Sequence, residues 1–228
     1  MTRDYLDQTI QHLKDEILVL EGMVSQATTD AVSALIRRDV KKAQEVYLND
    51  HKINAKRFEV ENECLIAIAT QQPLATDLRI LSSILEIVTE LERMGDYAKG
   101  IAKINLITKD TEKEIPVVNR LQEMAAITVK SLNRAVKAFI DVDVETARTL
   151  PAEDDAVDLI FNQIYNGLLE SMMEDKSLVY LANHLQWAAH NIERMSDRVT
   201  NICERTIFVR TGEMNELEES DDEWVINF

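Results

Sequence analysis

Apolar residues recur along the start of the chain at three- and four-residue spacing: Leu6, Ile10, Leu13, Ile17, Leu20, Val24, Ala27, Ala31 and Leu35. That spacing puts them on one stripe of an α-helix, whereas on a strand it would scatter them over both faces. The stripe is sustained for about eight turns, a length more typical of bundles and coiled coils than of average globular helices. A stripe this long needs other long helices to cover it. The rest of the chain permits them, since only 5 Gly and 3 Pro interrupt 228 residues and these two are the strongest helix breakers.

Caps and breakers divide the chain. Asp39 offers an N-cap for a second helix over about 40–71. Pro73 stops it and disfavours α conformation at Gln72. A third helix is predicted over about 74–107. Residues 108–114 are polar and charged, with Pro116 just beyond, and read as a linker. Val117, Val118, Leu121, Met124, Ala125, Thr128, Leu132 and Ala135 open a fourth helix. Asp143 caps a fifth that runs to about Met173. A sixth spans about 177–210 and ends at Gly212.

The pattern repeats. Ala31, Val32, Ala34, Ile36, Asp39 and Val40 coincide with Ala135, Val136, Ala138, Ile140, Asp143 and Val144 at a constant shift of 104. Leu91-Glu92-Arg93-Met94-Gly95-Asp96 is answered by Ile192-Glu193-Arg194-Met195-Ser196-Asp197 at a shift of 101. The second copy has therefore lost three residues near the hairpin tip, where a deletion costs least. The expected fold is all-α: two tandem three-helix bundles, with six long helices related by internal repeat. Residues 1–108 form the first bundle and 115–212 the second. Residues 213–228 form an acidic C-terminal tail with seven acids and no base, expected to be mobile or helical only when bound. The tail closes on an apolar tip, Trp224 to Phe228, suited to docking on a partner or folding back on its own bundle.

The repeat also pairs polar residues. Glu92 and Asp96, and again Glu193 and Asp197, stand four apart on one helix face. The preceding helix of each half carries a second four-spaced pair, Asp50 with Asn54 and Asp154 with Asp158. Counted from the hairpin tips, the two pairs of each half stand at one level. Such facing oxygens repel unless cations neutralise them, and a hard-oxygen set suits Mg, Mn, Ca or Fe better than Zn or Cu. His190 stands near enough to Glu193 to join the second set and would favour a transition metal there. The other reading is a salt-bridge layer between helices, in which Arg93 and Arg194 pair with carboxylates of a neighbouring helix. His12, His51 and His184 are expected at the surface or as caps, and Met94 and Met195 in the core.

Charge narrows the function. The formal net charge is -16, from 25 Lys+Arg against 41 Asp+Glu. That argues against nucleic acid and against an anionic membrane surface, and fits cations or a basic partner. No apolar run is long enough to span a membrane and no signal-peptide pattern opens the chain, so a soluble cytoplasmic protein is expected. Cys64 and Cys203 have no CxxC neighbour and read as buried free thiols. The sequence has no Glu-x-x-His motif, Gly-rich phosphate loop, Walker lysine or nucleophile–base arrangement. It gives no support to an enzyme.

These motifs resemble the PhoU family of phosphate-transport accessory and phosphate-signalling proteins. The resemblance runs from about Leu6 to Gly212. It is carried by Glu90-Leu91-Glu92-Arg93-Met94-Gly95-Asp96, by the weaker echo from Asn191 to Asp197, and by Gln71-Gln72-Pro73 followed by Asp77-Leu78-Arg79. It implies the same two three-helix bundles. It also implies metal motifs at Glu92/Asp96, Glu193/Asp197 and Asp154/Asp158, with a departure at Asn54, where an acid is usual, so that the first site loses a charge. The metals implied are iron, manganese, magnesium or zinc. The implied role is a regulatory adaptor that damps phosphate uptake and starvation signalling by contacting a phosphate ABC transporter, a sensor histidine kinase or both. Such an adaptor is expected as a cytoplasmic homodimer, peripheral at the inner membrane through its protein partners. The alternative is a metal-storing or metal-dependent phosphate-handling protein.

Overall fold

The computed structural model describes residues 3–217. Its helices are α1 (Arg3–Arg37), α2 (Val40–Gln71), α3 (Thr76–Thr108), α4 (Leu121–Asp141), α5 (Val144–Thr149), α6 (Asp154–Glu174) and α7 (Val179–Thr211). Among the described residues there is no strand. Among the described residues, no helix is long and apolar enough to cross a membrane. The repeat is visible in the backbone. Both α1 and α4 end with a residue in the left-handed region, Arg38 (φ 56°) and Val142 (φ 55°). The next N–H then bonds back across the turn, from Asp39 to Ala34 O and from Asp143 to Ala138 O. Each Asp also caps the following helix, accepting from Lys42 N and Thr146 N.

Two boundaries differ from the sequence expectation. The fifth helix is two pieces, because Pro151 has no N–H to give Ala147 and its ring crowds that carbonyl; a 3₁₀ turn over Pro151–Glu153 joins α5 to α6. The third helix starts at Thr76, with Leu74 exposed and Ala75 at φ 47°. Gly212 ends α7 in the left-handed region, its N–H bonded to Phe208 O. Past it, Leu217 packs against the core and its N–H bonds Glu204 Oε1 at 3.0 Å. The expected apolar tail tip lies outside the described residues.

The apolar stripe of α1 is buried from Leu6 to Leu35 apart from a half-buried Ala27, and Leu13, Ile17, Leu20 and Val24 are fully enclosed. Each such side chain contributes about 1.5–3 kcal/mol. α1, α2 and α3 pack together, as do α4, α6 and α7, but the most extensive helix pair is α3 on α7, between the two sets. α1 also crosses α4, where Lys14 donates to Ile140 O and Asn133 to Glu21. One continuous core results. The linker is strapped across it, with Arg38 donating to the carbonyls of Thr111 and Lys113, and Lys113 paired with Asp175 at 2.6 Å.

Candidate functional site

The structure brings Asp50, Asn54, Glu92 and Asp96 together across the α2–α3 pair, with two cations among them. Asp50 is buried, and its Oδ2 accepts from Lys99 Nζ at 2.6 Å and from Asn54 Nδ2 at 3.1 Å. Lys99 Nζ also lies 3.8 Å from Asp96 Oδ1. Burial, then the charges of Asp96 and Asp50, pushes the Glu92 carboxyl above its ordinary pKa, while Arg57 and Arg93 oppose them. Hydrogen bonding to Asp50 raises Lys99 in turn. A cavity of about 480 Å³ opens beside this pair between α1 and α2, walled by Val19, Met23, Val46 and Ile53.

The second half is arranged differently. Glu193 on α7 faces Asp154 and Asp158 on α6. Burial first, then those two carboxylates, raises its pKa against the pull of Arg194. Glu193 Oε2 is buried with no aligned hydrogen-bond donor; His190 Nδ1 lies 2.9 Å from it, off the line a hydrogen bond needs. Burial and then Arg194 lower the His190 pKa, with Asp197 opposing. Phe161 and Trp187 flank the imidazole at ring-centroid distances of 6.3 and 5.9 Å.

The two arginines lie toward the α3–α7 seam. Arg93 pairs with Glu90 on its own helix at 3.0 Å, and Arg194 lies over the Tyr97 ring at 5.4 Å. Glu90 is buried and also accepts from Arg198 and Asn201 of α7. Lys99, Arg57, Arg198 and Asn201 were not singled out by the sequence reading, and Glu90 only as part of its motif. Two carried a signal, since Lys99 follows Asp96 by three and Arg57 precedes Glu61 by four, which places each on its partner's face. The remaining histidines are peripheral: His12 pairs with Glu63, while His51 and His184 turn back on helix carbonyls. Met94 and Met195 are buried. Cys64 and Cys203 are free buried thiols whose pKa burial pushes up to about 12.

Among the described residues, no three His, Cys, Asp or Glu side chains converge closely enough to hold a metal ion. The fit of a cation to the two halves is nonetheless unequal. In the first, the Lys99 ammonium already sits on the buried carboxylate of Asp50. In the second, Glu193 presents a buried oxygen that lacks an aligned donor.

Known proteins are similar to this chain in sequence and fold. The PhoU domain family model matches twice, at residues 17–104 and 121–206. A phosphate-specific transport system accessory protein PhoU homolog of Clostridium acetobutylicum is 33% identical over 218 residues, 95% of this chain and 99% of that protein. The phosphate-specific transport system accessory protein PhoU of Escherichia coli is 30% identical over 90% of this chain and 84% of its own length. The crystal structure of PhoU from Pseudomonas aeruginosa superposes with a TM-score of 0.85 at 28% identity, covering 91% of this chain and 99% of that one.

Proposed function

This chain belongs to the PhoU family, and from that premise we propose that it is a regulatory adaptor that restrains phosphate uptake and phosphate-starvation signalling. The observation that carries this reading is the match of both repeats, over nearly the whole chain, to accessory proteins of the phosphate-specific transport system. Its partners are a phosphate ABC transporter, a sensor histidine kinase, or both, met at the cytoplasmic face of the membrane. Restraint of this kind needs binding surfaces and no chemistry of its own.

A cation belongs to the reading at the second half. Glu193, Asp154 and Asp158, with Asp197 and His190 beside them, would have to draw closer together than they stand here to hold it. Bound there, the ion would neutralise carboxylates that repel one another and tie α6 to α7. His190 is the donor that would favour manganese, iron or zinc over magnesium. In the first half Lys99 supplies the positive charge from within the chain. A metal-storing or phosphate-handling role would use the same Glu193 cluster, and turnover of a phosphoester or polyphosphate would mark it.

The test is a strain lacking this gene that carries a phosphate-starvation reporter. The intact chain should silence the reporter in phosphate-rich medium and co-purify with the transporter or kinase. Failure on both counts would end the adaptor reading. Elemental analysis of the protein beside Asp154→Asn/Glu193→Gln decides the metal separately.

A further inference from the structure

The repeat offers an internal control, because the same fold position occurs twice and shows what the fold itself demands. On the outer face of the α2–α3 pair, Arg57 and Glu61 form an ion pair at 2.9 Å, and Thr89 stands 3.5 Å from Glu61. At the shifts of 104 and 101 these positions become Phe161, Tyr165 and His190. Arg79 and Glu86 become Tyr180 and Trp187. Charged positions in one half are thus aromatic in the other, and the fold tolerates both. Phe161 packs against the core, but Trp187 is 57% exposed and Tyr180 58%. Leu169, on the neighbouring helix, is 38% exposed and has an exposed leucine, Leu65, as its counterpart. Nothing in the packing of the bundle calls for an aromatic face at this place.

Charge changes across the same comparison. From Asp50 to Glu92 the first half carries Lys52, Lys56, Arg57 and Arg79 among its acids. From Asp154 to Glu193 the second half carries one base, Lys176, which sits in the turn before α7. α6 has none, and Asp155, Glu170 and Glu174 are exposed on it. We propose that the α6–α7 face is a docking surface for a cationic amphipathic helical segment of a partner protein. The partner's apolar side chains would lie on Trp187, Tyr180 and Leu169, and its Lys or Arg side chains on Asp155, Glu170, Glu174 and the aromatic faces. A second copy of this chain is disfavoured, because a self-complementary contact on this face would find no Lys or Arg on α6 to answer its acids. An anionic lipid surface is repelled for the same reason. The proposal rests on the adaptor reading and gives it a surface.

The test uses a labelled peptide of about 18 residues, five helical turns of Leu, Lys and Arg at amphipathic spacing, and a twin with Glu replacing every base. Fluorescence anisotropy with the full chain should show the cationic peptide binding and the twin at least about tenfold weaker. The double variant Tyr180→Arg/Trp187→Glu transplants the first-half residues without changing net charge. It should bind the cationic peptide about tenfold more weakly while melting close to the parent. If that variant does not fold, Leu169→Ser should weaken binding in the same direction. Equal affinity of parent and folded variant would overturn the proposal, as would equal binding of the twin. So would a parent dimer that the double variant dissociates with peptide affinity unchanged. Peptide binding as expected, alongside a starvation reporter that stays on and no co-purifying transporter or kinase, would leave this surface standing and end the adaptor role.

Discussion

Asn201 Nδ2 donates to Glu90 Oε2 at 3.2 Å across the α3–α7 seam, and their repeat counterparts, Gly100 and Asn191, also meet there. A Cβ on Gly100 would lie 2.8 Å from Asn191 Nδ2. The exchange of partners means that α3 and α7 run antiparallel about a local two-fold, so the two halves face each other as subunits of a symmetric dimer do. Glu90 has broken that symmetry by becoming a buried carboxylate where the other half has Asn191.

Glu90 then holds Arg93, Arg198 and Asn201 together. Glu90→Ala would leave the guanidinium of Arg198 half-buried without its hydrogen-bonded carboxylate, at a cost of about 3 kcal/mol. Arg93→Ala should cost less than about 1 kcal/mol, because Arg93 is half exposed. Urea denaturation of the two variants checks the order. Equal costs would mean that the seam is held by its apolar packing alone.

The caps Asp39 and Asp143, the stop at Gly212 and the facing carboxyl pairs were legible because each depends on a local chemical signature or a repeat spacing. The α3–α7 seam was not. A repeat specifies each half, and nothing in the spacing of Glu90 or Asn201 says which helix of the other half it will meet. Pro151 was legible in principle, since a proline that deep in a helical pattern removes a backbone donor. The cation inside the first cluster was hidden for another reason. Lys99 stands three residues from Asp96, but nothing in that spacing says that Asp50 is buried and needs a cation.

Gly212 sits at φ 79°, where any L side chain is strained, and a Cβ there would lie 2.6 Å from Arg79 Nη1. The arginine end can swing aside, so the backbone conformation decides the outcome. Gly212→Ala should lower stability by about 1 kcal/mol. It should also speed hydrogen exchange at Leu217, whose N–H bonds Glu204 beyond the turn. An unchanged exchange rate would mean that Leu217 is held by its packing, independently of the α7 end.

Lys99→Met keeps the aliphatic stem and removes the charge from a carboxylate that is 5% exposed. Breaking a buried pair costs about 3 kcal/mol, reduced here to about 2 because Lys99 is itself partly exposed. In a Glu193→Gln background, added Mn²⁺ should raise the melting temperature of the Lys99→Met protein. It should leave the Lys99 protein unmoved, because the ammonium already occupies the first cluster. Equal Mn²⁺ stabilisation of both would show that Lys99 does not compete with a metal.

Glu193 gives a sign that separates a metal cluster from an ion-pair layer. Burial and the carboxylates of Asp158 and Asp154 raise its folded pKa above the unfolded value of about 4.3. The folded state therefore holds its proton more tightly. That contribution to stability is fully present below the unfolded pKa and is lost as pH rises through the folded one. At neutral pH the ionised Glu193 works against the metal-free fold. Glu193→Gln should accordingly melt higher than the parent at about pH 7 in chelator, with the gain shrinking toward about pH 4. Manganese should reverse the order, since only the parent offers the ion its full set of charges. A variant less stable than the parent in chelator would mean that Glu193 is already neutralised by a cation of the chain, and the second half would then be an ion-pair layer.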